Sequence, residues 1–209
     1  GHGIVNLESP LVVATLLNNN GTLTALSRPA NILLPPPAGS LSINGGGTTR
    51  IDLDGSGENG VVNVNRNQTL NINAALSDAF NGAMNLAQNS TFHSAGVWTL
   101  GAGGQILADN GAVGGFPGIS AGPSTLSGGT ITQTGGTITV VDTDGVLNID
   151  SNFTMSSGAL TNHGRVVFNG AATIAAGANF SLASPGAGFT VGPNASLTIN
   201  QTNFDFDGP

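Results

Sequence analysis

Four oxygen-bearing side chains, Asp52, Asp54, Ser56 and Glu58, stand at every second residue of Asp-Leu-Asp-Gly-Ser-Gly-Glu-Asn, with Gly57 placed for a bend. Hard cations such as Ca2+ are held by oxygen ligands, and alternate carboxylates around a glycine bend form the first half of a calcium loop. The twelfth position of such a loop is Asn63 instead of a bidentate Glu, and no helical pattern flanks it. The segment is therefore a candidate Ca2+ site, and equally an Asx-rich corner whose carboxylates cap turn amides. Asp142-Thr-Asp144-Gly145 and Asp205-Phe-Asp207-Gly208 are shorter copies of the same pattern.

Trp98 is the one Trp of the chain, Phe92 and His93 precede it closely, and Phe116 follows in a Gly- and Pro-rich stretch from Asp109 to Ser124. An aromatic face beside a loop can hold a sugar ring. Trp98, Phe92, His93 and Phe116 are accordingly the candidate ligand-binding residues. Alternation leaves open whether Trp98 points outward or belongs to the core.

Catalysis has less to stand on. Asp52 and Asp54 share one strand face and Asp142 and Asp144 another, but the pairs are 90 residues apart and cannot meet as general acid and base. Asp142 and His163, like Asp144 and Arg165, are 21 residues apart, which reads as surface pairs one coil above the other. No serine-nucleophile elbow, phosphate loop or zinc motif is present. No catalytic residues and no enzyme are expected.

Something must position these groups, and composition narrows the choice. The 209 residues include 33 Gly, only 7% charged residues, and no Cys; all four cations are Arg. No apolar run reaches the ~18 residues of a spanning helix, so membrane insertion is not expected. A net charge of −7 with four Arg disfavours nucleic acid, whose phosphates need clustered cations. Apolar residues make up 39% of the chain and recur in register, which argues against disorder.

That register is clearest from Thr130 to Asp207. Ile131, Phe153, Ile174 and Leu197 step by 22, 21 and 23; Ile138, Leu160, Leu182 and Phe204 by 22 each; Leu147, Phe168 and Phe189 by 21 each. Each lies in a short alternating segment such as Thr-Ile-Thr or Ser-Leu-Thr-Ile, the signal of a half-buried strand. A longer column, Ile43, Val64, Leu86, Ile106, Leu126, Leu147, Phe168 and Phe189, carries similar steps back to residue 41. Three strands in each unit of ~22 residues predict an all-β fold, a single-stranded parallel β-helix, expected right-handed, in which each coil buries its apolar face only by stacking. Seven or eight coils at ~4.8 Å each would make a rod of about 35 to 40 Å.

Along the chain, 1–40 is expected to form an N-terminal cap and a Pro-rich strap, Pro35-Pro36-Pro37 being unable to donate to a ladder. Residues 41–209 form the β-helix. Ala74 to Gln88 has helix-friendly composition, but Asn81-Gly82 interrupts it and favours strand, turn, strand. Asn-Gly at 20, 44, 59, 81, 110 and 169 suggests corners that use positive φ. The outward neighbours of the first column are Thr130 and Thr132, Asn152 and Thr154, Thr173 and Ala175, Ser196 and Thr198. They suggest a hydroxyl-rich face broken by Asn and Ala.

Leu126-Ser-Gly-Gly-Thr-Ile-Thr, Gly135-Gly-Thr-Ile-Thr-Val, Gly145-Val-Leu-Asn-Ile and Ala171-Ala-Thr-Ile-Ala-Ala-Gly-Ala-Asn-Phe resemble the degenerate repeats of large bacterial surface and secreted proteins, of the autotransporter-passenger and filamentous-haemagglutinin kind. The resemblance covers about 41 to 207 and implies an extracellular or cell-surface β-solenoid, part of a longer multidomain chain. It implies a non-catalytic stalk or adhesive scaffold whose partner would be a polysaccharide or cell-surface glycan. The alternatives are a carbohydrate-binding module attached to a polysaccharide-degrading enzyme, a β-helix glycoside hydrolase or lyase, and an ice-binding face. No cofactor is expected apart from the candidate Ca2+.

Overall fold

The structure is a computed structural model. It describes residues 79–108 and 122–202, with 66, 204, 205 and nine strands before residue 79. Among the described residues the chain is an all-β parallel solenoid of about five turns, without helix. The strands form an eleven-stranded sheet, an eight-stranded sheet and a three-stranded sheet. Parallel sheets in other folds are covered on both faces. Here each strand buries one face only, because the coil closes on itself.

Alternation accounts for this directly. Trp98–Leu100, Gln105–Ala108, Val146–Ile149 and Arg165–Phe168 bury every second residue and turn the others outward. The inward set is continuous and almost wholly aliphatic or aromatic. Ala75–Leu76 and Ala83–Leu86 are strands, with Asn81-Gly82 between Phe80 and the second of them, so the favoured strand, turn, strand replaces the helix its composition would allow. At the other end Ile4–Leu7 pairs in parallel with Thr22–Ala25, which pairs with Val61–Val64, and Leu11–Val13 pairs with Gly39–Ile43.

The pairing corrects the columns in an orderly way. Ile131 lies beside Phe153, but Phe153 lies beside Ala172, which then meets Leu197; Ile174 falls beside Met155. Leu147 pairs with Val166, and Val166 with Phe189, so Phe168 belongs one position over, beside Ile149. Leu160 meets Phe180, and Leu182 meets Asn162. Each misplaced residue is off by two, because a corner changed length while the buried face had to stay buried; a slip of one would have turned every apolar side chain outward. The long column fails more completely. Val64, Leu86 and Ala108 are neighbours in the large sheet, whereas Ile43 meets Ile72, and Leu126 meets Phe92, in the eight-stranded one.

The two eleven-residue strands Thr130–Val140 and Asn152–Asn162 bend through the middle, where their register shifts. Gly136 and Gly158 mark the bend with φ of 65° and 88°. A Cβ on Gly158 would stand 2.5 Å from the Gly136 carbonyl oxygen, so both the backbone conformation and the close approach require glycine. The last coil is partly closed by its own continuation. Gln201 Oε1 accepts the Phe180 N–H at 2.8 Å, and the Phe204 ring stacks on Phe180 at 5.1 Å.

Candidate functional site

The residues singled out for chemistry go to different places. Trp98 and Phe92 are core residues, 2% and 1% exposed. Their rings pack 5.2 Å apart, and Phe80 closes on Trp98 from 5.8 Å. A ring enclosed this way offers no face to a sugar, so neither serves as the binding platform expected of it. Strand parity makes the decision: Trp98 and Leu100 point inward because Thr99 points outward. His93 stays on the outer face of Thr91–Ser94, half-buried, with Nδ1 3.1 Å from Ser127 Oγ of the neighbouring strand.

Phe116, Asp54, Ser56 and Glu58 lie outside the described residues, as does the side chain of Asp52, whose backbone ends the strand Thr48–Asp52. Among the described residues no three His, Cys, Asp or Glu side chains gather to hold a metal ion. The stretch from Asp109 to Ser124 is described only from Gly122 on. The register nonetheless shows that it is extra to the coil: Phe92 to Leu126 spans 34 residues, where Leu70 to Phe92 spans 22.

The pairs at 21-residue spacing do not form. His163 Nδ1 lies 2.8 Å from Ser184 Oγ, and one carboxylate oxygen of Asp142 is buried without a hydrogen-bond partner. Gly164 sits over the Asp142 carbonyl, where a Cβ would stand 2.6 Å from that oxygen. Asp142 therefore faces a glycine in the next coil, while His163 turns to the coil beyond. Register at this corner is shifted by a residue from what an even period implies.

What the pairing assembles is a face that fixed spacing missed. Thr99, Thr132, Thr154, Thr173 and Thr198 are successive neighbours in the large sheet, without interruption. Their sequence steps of 33, 22, 19 and 25 hide the column. Each stands between two inward residues, and Thr154, Thr173 and Thr198 are exposed. At ~4.8 Å per strand the five hydroxyls span about 19 Å. Thr130 and Asn152, then Ala171 and Ser196, run beside them. Among the described residues these five hydroxyls make no hydrogen bond within the protein, unlike Thr134 and Ser157 close by, which donate to the carbonyls of Leu100 and Thr134. The column can therefore offer a regular row of unengaged donors and acceptors to solvent or to a flat partner.

Comparison with known protein families, with curated proteins and with solved structures finds nothing that matches this chain.

Proposed function

We propose that the chain is a non-catalytic extracellular module of a larger bacterial secreted or surface protein, a right-handed β-helix of seven or eight three-stranded coils that serves as a stalk or adhesive scaffold. The observation that supports this reading is the one-sided burial of both long sheets: every inward position of the described coil packs core, and the outward positions are small and polar. Such a surface suits spacing and broad, shallow contact more than enclosure of a small substrate. Incubation with a broad panel of plant, algal and bacterial polysaccharides tests it. The purified chain should release no sugar; release from any of them would make it an enzyme.

A second reading is favoured by the uninterrupted Thr column, which suits a partner with a repeating, flat array of oxygens, such as ice. Thr154→Lys places a long charge in the middle of the column. An ice-recrystallisation assay should show activity that this variant loses, while its fold, read by circular dichroism, stays intact. Absence of any effect of the unaltered chain on ice growth would remove the second reading and leave the first standing.

A further inference from the structure

Two Asn-Gly pairs lie within the described residues, Asn81-Gly82 and Asn169-Gly170, and the solenoid holds them differently. Asn81 is half-buried with both ends of its carboxamide engaged: Nδ2 donates to the Ala79 carbonyl and Oδ1 accepts the Gly103 N–H, each at 3.3 Å. Gly82 is buried, and its carbonyl accepts the Gln105 N–H at 2.8 Å. Asn169 is exposed and makes one side-chain bond, from Nδ2 to the exposed Asp150 carboxylate at 2.6 Å. Neither residue of this second pair has positive φ. Glycine is required at 170 by packing, since a Cβ there would stand 2.4 Å from the Ser151 carbonyl oxygen.

We propose that Asn169-Gly170 is a self-modification site, at which the chain deamidates with the help of Asp150. The Gly170 nitrogen loses its proton to solvent base and attacks Asn169 Cγ, forming an N–Cγ bond. The bond from Cγ to Nδ2 then breaks, and Nδ2 takes a proton from water and leaves as ammonia, which closes a succinimide. Water adds to one of the two ring carbonyls and opens the ring to aspartate or isoaspartate. No redox partner is needed, and water is the only co-reactant.

Asp150 enters at the expulsion step. Nδ2 must gain a proton before it can leave, and the carboxylate 2.6 Å away meets the positive charge as it develops. Electrostatic groups already in place where charge appears lower a barrier without reorganising. The product is disfavoured by the same neighbour, because a carboxylate at 169 would face Asp150 across adjacent strands. Like charges so placed destabilise the corner, so conversion marks and loosens the coil at Ile149 to Ala171. Asn81 lacks a carboxylate partner, and its carboxamide would have to release two bonds in a packed corner.

The test is prolonged incubation of the folded chain at mildly alkaline pH, followed by peptide mapping by mass spectrometry and enzymatic labelling of isoaspartate. The peptide holding Asn169 should gain the mass of deamidation and the isoaspartate label well before the peptide holding Asn81. In urea the two should convert at similar rates, which shows that the fold makes the difference. Asp150→Asn should slow conversion at Asn169 in the folded chain by about two- to fivefold, the factor an exposed charge interaction supports, with no effect in urea. Equal conversion of both sites in the folded chain, or conversion of Asn169 only in urea, overturns the proposal. An Asp150→Asn chain that converts as fast as the unaltered one overturns the role given to the carboxylate.

Discussion

Replacing Trp98 with alanine separates a core role from a binding role by magnitude. Trp98 is 2% exposed and wedged between Phe80 and Phe92. An aromatic of this class buries about 150 to 250 Å², which at ~25 cal/mol per Å² amounts to about 4 to 6 kcal/mol. That is an upper bound, because the unfolded chain already buries part of the same area. Mutational experience with Trp→Ala in cores gives about 3 to 5 kcal/mol, so a loss near 4 kcal/mol is expected from Trp98→Ala. A solenoid is held by contacts between neighbouring coils, so the loss should be local and the transition broadened, with the coil from Phe80 to Leu100 opening first. Urea unfolding followed by circular dichroism measures the loss, and hydrogen exchange locates it. Acrylamide quenching of the unaltered chain gives an independent reading, because a core Trp is shielded. A Trp98→Ala chain within about 0.5 kcal/mol of the original, the range of ordinary surface changes, together with freely quenched fluorescence, would refute the burial argument.

Three further substitutions probe how the coils are locked. Asn162 is fully buried; its Nδ2 donates to the Gly188 carbonyl at 2.8 Å and its Oδ1 accepts the Gly164 N–H at 3.1 Å. Asn162→Leu leaves both backbone groups without that partner and should cost about 2 to 4 kcal/mol despite the added apolar bulk, measured by urea unfolding. Gly158→Ala places a Cβ at φ of 88° against the Gly136 carbonyl and should cost at least about 2 kcal/mol, seen as a lowered melting temperature. Phe204→Ala removes the ring stacked on Phe180 and should cost about 3 kcal/mol, confined to the last coil. Hydrogen exchange should then rise in Ala178–Leu182 while Gln105–Ala108 keeps its protection; uniform exchange throughout would show that Phe204 is not a local cap.

The strand pattern was readable because it is a local property: an inward apolar residue every second position survives whatever happens at the corners. The columns were readable only on average. From Phe153 to Ala172 the coil takes 19 residues and from Ala172 to Leu197 it takes 25. The two departures cancel, so Leu197 was placed correctly and Ile174 was not. The broken hydroxyl face expected from even spacing came from that same error, and the true register joins five Thr. Corner glycines were legible as corners, although at Asn169-Gly170 the reason is the approach of the Ser151 carbonyl and not a left-handed backbone.

Trp98, where the problem of the ligand began, shows the limit most plainly. By itself the sequence determined the strands, the parallel stacking of coils and the absence of any thiol, because those follow from periodicity and from which residue types are present. Only the tertiary structure decided that Trp98 and Phe92 close the core, that Asp142 meets Gly164 and not His163, and that Thr99 to Thr198 form one column. Each of these depends on register between coils, and register is fixed by corner lengths and by packing between residues some twenty to thirty positions apart, which no short window of sequence contains.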